Sequence, residues 1–224
     1  MTTPKARPRG VDAAHADVRR RIVNAAIQEF ALHGFEGASV RAICRRAGVN
    51  VAAVNYYFQS KEKLYLEAFH QLFEDYGRPL AALVVSVRTA ADWAQALRSW
   101  LRTVLEWWVD DRPPLVWATR LILRERWASS RAGPYLVERV FMPFRAQLEQ
   151  LVRMGLPPRA AETDVFLWVN LALGQMLQYG IQDPPWDTIV RPRGWDRRRW
   201  ARRVADHMAD VLLAHLRFRG GKLR

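Results

Sequence analysis

Cysteine is nearly absent from this 224-residue chain, in which Cys44 stands alone. A single thiol cannot close an internal disulfide, which excludes the disulfide-stapled secreted domains and suits a reducing compartment. Cys44 sits beside Ile43 in an amphipathic stretch and is expected to be a buried structural thiol. No apolar run reaches the ~18–20 residues of a membrane span. The longest candidate, Val165 to Leu177, is broken by Asn170, Gly174 and Gln175. The N-terminus lacks the apolar segment of a signal peptide, so a soluble, cytoplasmic protein without membrane attachment is expected. His15, His33, His70, His207 and His215 have no metal-ligand spacing and no cysteine cluster beside them, so no metal and no other cofactor is expected. Also missing are a Gly-x-Ser-x-Gly elbow, a His-Glu-x-x-His pair, a glycine-rich phosphate loop and a kinase signature, so an enzyme has no positive support.

Acidic residues are scarce in a revealing place. The chain carries 35 Lys+Arg against 22 Asp+Glu, a net charge of +13. Residues 1–70 hold 11 basic and 6 acidic residues, 71–190 hold 13 of each, and 191–224 hold 11 and 3. The surplus therefore lies at the two ends around a neutral middle, a layout that fits a polyanion partner. Half of the residues are hydrophobic, enough for a sizeable core.

The most informative stretch runs from Ser39 to Lys61. Ser39 is a good N-cap, and Val40, Ile43 and Ala47 recur at helical spacing. Gly48 supplies the left-handed turn that stops the helix, and Asn50 caps a second one, Val51 to Tyr57. At about 100° per residue, Val51, Ala52, Asn55 and Tyr56 share one arc while Val54 and Tyr57 point elsewhere. Helix, glycine turn and helix of this size make a helix-turn-helix whose second helix suits a DNA major groove.

Gly48-Val49-Asn50, then Val54-Asn55-Tyr56-Tyr57-Phe58 and Ser60-Lys61-Glu62-Lys63-Leu64, resemble the DNA-binding signature of the tetracycline-repressor (TetR) family. The upstream run Ile22, Ala25, Ala26, Phe30, Gly34 and Phe35 does so too. The resemblance covers roughly residues 18 to 66. It implies base contacts from Val51, Ala52, Asn55 and Tyr56, and phosphate contacts from Ser39, Arg41, Arg45, Tyr57 and Lys61. The pattern departs at Asn55, where tyrosine is frequent, and at Ala53, which lacks a hydroxyl often present there. Asparagine can pair bidentately with adenine, or Asn55 can be a solvated helix residue. Of Arg41, Arg45 and Arg46, at least one is expected to be an ordinary solvated side chain.

Elsewhere the pattern is helical, and an all-α fold is expected: residues 1–16 as a flexible basic arm, 17–66 as the DNA-binding unit, and 67–224 as a larger helical domain for effector binding and dimerisation. The arm is either a solvated tail or a phosphate contact through Arg7 and Arg9. Helix 1 should run from about Asp17 to His33, and helix 4 from Ser60 to about Val85 with a kink or break near its end at Pro79. Trp93, Leu97, Trp100, Val104 and Trp107 mark a further helix, followed by Pro114–Trp127 and by Pro134–Met154, whose stripe is Val137, Phe141, Phe144, Leu148 and Leu151. Ala160–Gly180 is apolar around most of its circumference. After a Pro- and Trp-rich loop from Asp183 to Trp195, the last helix, Trp200–Leu216, shows Trp200, Val204, Met208, Val211 and Leu212 on one face. These last two long helices are the homodimer candidates.

Ten tryptophans gather in the C-terminal region. Aromatics at helical spacing are usually core, yet the resemblance also implies an effector cavity there. Trp107, Trp117, Arg120, Arg124, Asn170, Gln175 and Tyr179 are its candidate lining. The expected function is a sequence-specific transcriptional regulator, a repressor released from a palindromic double-stranded operator by a small, largely apolar effector. The alternative is a non-specific or architectural DNA-binding protein.

Overall fold

The computed structural model describes residues 9–72, 74–75, 78–110, 115–127, 133–180 and 187–217. Among them are helices and no strand. In chain order the helices are α1 (Arg9–Gly37), α2 (Val40–Ala47), α3 (Val51–Phe58), α4 (Lys61–Leu72), α5 (Arg78–Val85), α6 (Ala90–Val109) and α7 (Leu115–Trp127). Beyond them come α8 (Gly133–Leu136), a π-helical turn (Val137–Phe141), α9 (Met142–Gly155), α10 (Glu162–Gly180), α11 (Asp187–Val190) and α12 (Arg197–His215). They divide into two compact units: residues 1–72 with 120–136, and residues 73–119 with 137–224.

The first unit is built on α1. Ile22, Ala26 and Phe30 of α1, Ile43 and Ala47 of α2, Val54 and Phe58 of α3, and Leu64, Ala68 and Phe69 of α4 are buried together with Leu121 and Leu136. Phe30, Phe69 and the half-buried Phe35 surround Tyr65, with ring centroids 4.7, 5.2 and 5.1 Å from it. Helix 1 starts at Arg9, inside the segment expected to be an arm; Ala13, Ala14 and Ala16 favour helix, and Asp17 pairs with Arg20 and Arg21 along it. Arg7 and residues 1–8 as a whole lie outside the described residues. Gly34 interrupts α1 with φ 71° and ψ 178°, a conformation open essentially to glycine alone.

One sequence expectation is sharpened here and another changes. The interruption expected late in helix 4 is seen as a change of helix type: the α-helix ends at Leu72, Glu74 and Asp75 are π-helical, and α5 runs from Arg78. Pro79 near the start of α5 has no N–H to give a preceding turn, so a helix begins there more readily than it passes through. Arg120 and Arg124, expected in an effector cavity of the C-terminal domain, belong to the first unit. There Arg124 donates to the Leu32 carbonyl at 3.2 Å, satisfying a carbonyl at the end of the first stretch of α1.

The second unit has its own core around α6. Trp93, Leu97, Trp100, Leu101 and Val104 pack with Leu148 and Leu151 of α9, Val165, Val169 and Met176 of α10, and Ala201, Ala205 and Ala209 of α12. The alanines, four residues apart, form a small-residue stripe on α12. Beside the stripe runs a ladder of ion pairs with α6. Arg98 meets Asp210 at 2.6 Å, Arg102 meets Asp206 at 2.7 Å, Glu106 meets Arg202, and Asp110 meets Arg198 at 2.7 Å. Numbering falls on one helix as it rises on the other, so the helices are antiparallel. The sign change midway along both disfavours slippage. The indole N–H of Trp93 donates to the Leu151 carbonyl at 2.8 Å and that of Trp100 to Gln147 at 3.1 Å, fixing α6 to α9. Thr89 and Asp92 form a reciprocal capping box at the start of α6.

Two expected stripes are corrected. Val137 is exposed, because the π-helical turn inserts an extra residue and rotates the helix beyond it. Val211 is exposed, because the small alanines are the buried side of α12. On α10, apolar around most of its circumference, Phe166, Leu167 and Leu171 are exposed.

Candidate nucleic-acid interface

The helix-turn-helix is held by its own caps. The Ser39 hydroxyl accepts from the Ala42 N–H at 3.1 Å, and the Asn50 side chain accepts from the Ala53 N–H at 2.8 Å. Gly48 takes φ 66°, ψ 40°, the left-handed turn that joins α2 to α3. Arg21 donates to the Ala47 carbonyl at 2.9 Å, capping the end of α2 from α1. Ser60 receives the Lys63 N–H at 3.2 Å and starts α4. The turn is set by these local bonds and by the buried Ile43, Val54 and Phe58.

That anchoring leaves one arc of α3 outward. Val51, Ala52, Asn55 and Tyr56 are all exposed, Tyr56 by 69%. On α2, Arg41 and Arg45 lie one turn apart, exposed, with no ion pair or side-chain hydrogen bond among the described residues. Arg46 differs: it reaches Gln28 at 3.1 Å and the buried Glu29 at 3.6 Å. Ser39 is exposed beside them. Tyr57 is half-buried with its hydroxyl 2.7 Å from His15 Nδ1. Lys61 is engaged by its own chain, its ammonium 4.7 Å from the Phe35 ring centre and donating to the Glu36 carbonyl at 3.3 Å. A phosphate contact from Lys61 has to compete with these bonds.

Cys44 is buried, and burial pushes its thiol above the usual range, which keeps it protonated and inert. Beneath the helix-turn-helix, the Tyr65 hydroxyl donates to buried Glu125 of α7 at 2.6 Å.

The expected effector residues fall in both units. With Arg120 and Arg124 in the first unit, Asn170 and Gln175 are exposed on α10, where Asn170 donates back to the Phe166 carbonyl at 2.7 Å. Trp107 packs on the core of the second unit, and Trp117 is half-buried on α7. Tyr179 alone of the seven lines a shallow cavity of about 320 Å³, with Gln178, Ile189, Val190, Arg191 and Trp200. The pattern of aromatics and polar residues was legible, but their facing was not. Among the described residues no His, Cys, Asp and Glu cluster is arranged for a metal, and no described helix is long and apolar enough to cross a membrane.

Sequence reading missed His15, whose link to α3 spans 42 positions, and the α6–α12 ladder. The capping box was readable as Thr89-x-x-Asp92. The ladder has a signal too, charges at four-residue intervals on both helices, but pairing them requires knowing that the helices meet.

A bundle whose capped helix-turn-helix turns a polar and aromatic arc outward between unpaired arginines defines a DNA-binding regulator. The chain belongs to the tetR family of bacterial regulatory proteins, whose model matches residues 22–68, and residues 93–217, more than half of it, match the C-terminal domain of the HTH-type transcriptional dual regulator CecR. It is thus a transcriptional regulator rather than an enzyme. It is 27% identical to CecR of Shigella flexneri, over 79% of this chain and 80% of that one. It is 33% identical to the transcriptional repressor NicS of Pseudomonas putida over 46% of this chain and 48% of that one. Among solved structures, the fold is similar to that of AibR in complex with isovaleryl coenzyme A and operator DNA, with a TM-score of 0.63 at 17% identity, covering 89% of this chain and all of that one (100%).

Proposed function

We propose that this cytoplasmic regulator is a repressor that binds a palindromic operator as a homodimer and leaves it when a small, largely apolar effector binds. The observation that carries the DNA part is the exposed arc of α3 over a fully buried underside. Val51, Ala52, Asn55 and Tyr56 read base edges, with Asn55 suited to adenine. Ser39, Arg41, Arg45, Tyr57 and Lys61 hold the backbone. Dimerisation uses the exposed apolar side of α10, where Phe166, Leu167 and Leu171 give a self-complementary stripe.

The effector acts by linkage: it weakens DNA binding by as much as it prefers the conformation with misplaced recognition helices. The chain passes between the units at Leu72, within α7 and after Leu136, so α7 is a second route alongside α4. An acyl thioester of coenzyme A is the first effector class to screen, being the ligand named for AibR.

The test is fluorescence anisotropy on duplex DNA from upstream of the protein's own gene, against a composition-matched scrambled duplex at the same salt. A preference of ~10³ or more supports a specific regulator. Equal affinity for every duplex in a random pool, with a steep salt dependence, supports the architectural alternative. Release of the preferred duplex on adding acyl-coenzyme A identifies the effector class, and effector affinity unchanged by saturating operator refutes the linkage.

A further inference from the structure

We propose that His15 is a positioning residue for DNA recognition, acting through Tyr57 and Tyr56. The proposal rests on the reading of α3 as the DNA-contacting helix. His15 lies in the first half of α1, outside the helix-turn-helix. Its Nδ1 is 2.7 Å from the Tyr57 hydroxyl, and its ring lies 6.0 Å from that of Tyr57 and 6.3 Å from that of Tyr56. The two tyrosine rings meet edge to face at 5.0 Å. The three rings thus form one cluster on the outer edge of α3.

This part of α1 is tethered. One turn beyond His15, Arg19 pairs with Glu67 of α4 at 2.6 Å and lies 5.6 Å from the centre of the Phe58 ring of α3. His15 therefore meets α3 at a fixed place.

The hydrogen bond is exposed to solvent. Water competes for both partners, so the bond contributes little to folding; its effect is on where the phenol points. An unrestrained tyrosine hydroxyl rotates freely. With the proton on Nδ1, His15 donates to the Tyr57 oxygen and leaves the hydroxyl hydrogen for a DNA phosphate. With the proton on Nε2, Tyr57 donates to His15 instead and loses that capacity. Phosphate binding at Tyr57 therefore selects the first arrangement, and His15 holds the phenol in it. The imidazole also limits the swing of Tyr56, an exposed aromatic side chain of the base-reading arc.

The test uses the full-length protein and a duplex that the wild type itself selects from a random-sequence pool, with a scrambled duplex as control. Affinity for both is measured by anisotropy for wild type, His15→Ala, His15→Asn, Tyr57→Phe and the His15→Ala/Tyr57→Phe double variant. Asparagine keeps a polar atom near the position of Nδ1. The expected result is a three- to tenfold loss (on the order of one hydrogen bond) for His15→Ala and for Tyr57→Phe. The double variant should lose no more than the worse single one, His15→Asn should recover most of the loss, and thermal midpoints should be unchanged. Wild-type affinity in His15→Ala, multiplying losses in the double variant, or no recovery in His15→Asn overturns the proposal. So does an affinity loss that tracks a fall in thermal midpoint, since that is a structural role. If the wild type selects no duplex over the scrambled one, the DNA-contact reading itself fails, a result distinct from all of these.

Discussion

The two units of this protein are held by different means. In the first, the working helices are short and most of their end contacts come from neighbours in sequence: Ser39 on Ala42, Asn50 on Ala53, Gly48 at the turn, with Arg21 of α1 added at the end of α2. In the second, long helices are fastened by partners far away. Trp93 reaches across 58 positions, Trp100 across 47, and each rung of the α6–α12 ladder across 88 or more. The first unit thereby leaves an outward face of α3 exposed and available to a ligand. The second spends its polar groups on its own register. A recognition surface needs a rigid underside and an unpaired outer face, whereas a long-helix bundle needs a device against slippage.

Substitutions test that contrast. Trp100→Ala removes a fully buried side chain and its hydrogen bond to Gln147. It should cost about 3–5 kcal/mol in denaturant unfolding. If it costs no more than a helix cap, the tryptophan hydrogen bonds do not set the second unit. Asn55→Ala should leave stability unchanged and weaken binding to a selected duplex by about 1–3 kcal/mol, with affinity for a scrambled duplex intact. Arg41→Ala should instead weaken both duplexes alike and lower the salt slope by about 1.

Smaller effects separate local from distant fastening. Ser39→Ala and Asn50→Ala should each cost about 1 kcal/mol. In the ladder, Arg102→Asp should destabilise by ~0.2–1 kcal/mol, and adding Asp206→Arg should restore most of it; a double-mutant cycle with no coupling would remove the ladder as a register device. The smallest effect is one of pH. The Thr89 backbone N–H, then the Thr89 hydroxyl and the Arg88 N–H, hold the Asp92 carboxyl below the usual carboxylate range. A depressed folded-state value stabilises the fold above the unfolded-state value of about 4, and this is lost as pH falls through the lower folded value. Asp92→Asn should lose that part of the acid dependence, read as the difference in thermal midpoint between neutral and acid pH.

The helix-turn-helix was legible because its determinants are local. A cap, a glycine and a hydrophobic repeat lie within about twenty residues, so spacing alone placed α2, α3 and the outward arc of Val51, Ala52, Asn55 and Tyr56. The helical nature of the remainder was legible for the same reason. What its faces meet was not. A stripe shows that a side is apolar without naming its partner, so the apolar girdle of α10 did not say which side the chain itself buries and which, at Phe166, Leu167 and Leu171, faces outward. One π-helical turn was enough to move Val137 off its expected side.

The amino-acid sequence by itself determined the helical character, the turn after α2 and the outward arc of α3, since helical periodicity and capping act over a few residues. Only the tertiary structure decided that Arg124 caps α1, that Lys61 is held by Phe35 and Glu36, and that His15 meets Tyr57. It also paired the charges of α6 with those of α12. These contacts join residues 25 to 112 positions apart, and nothing in local spacing encodes which two distant surfaces will meet once the apolar faces are buried.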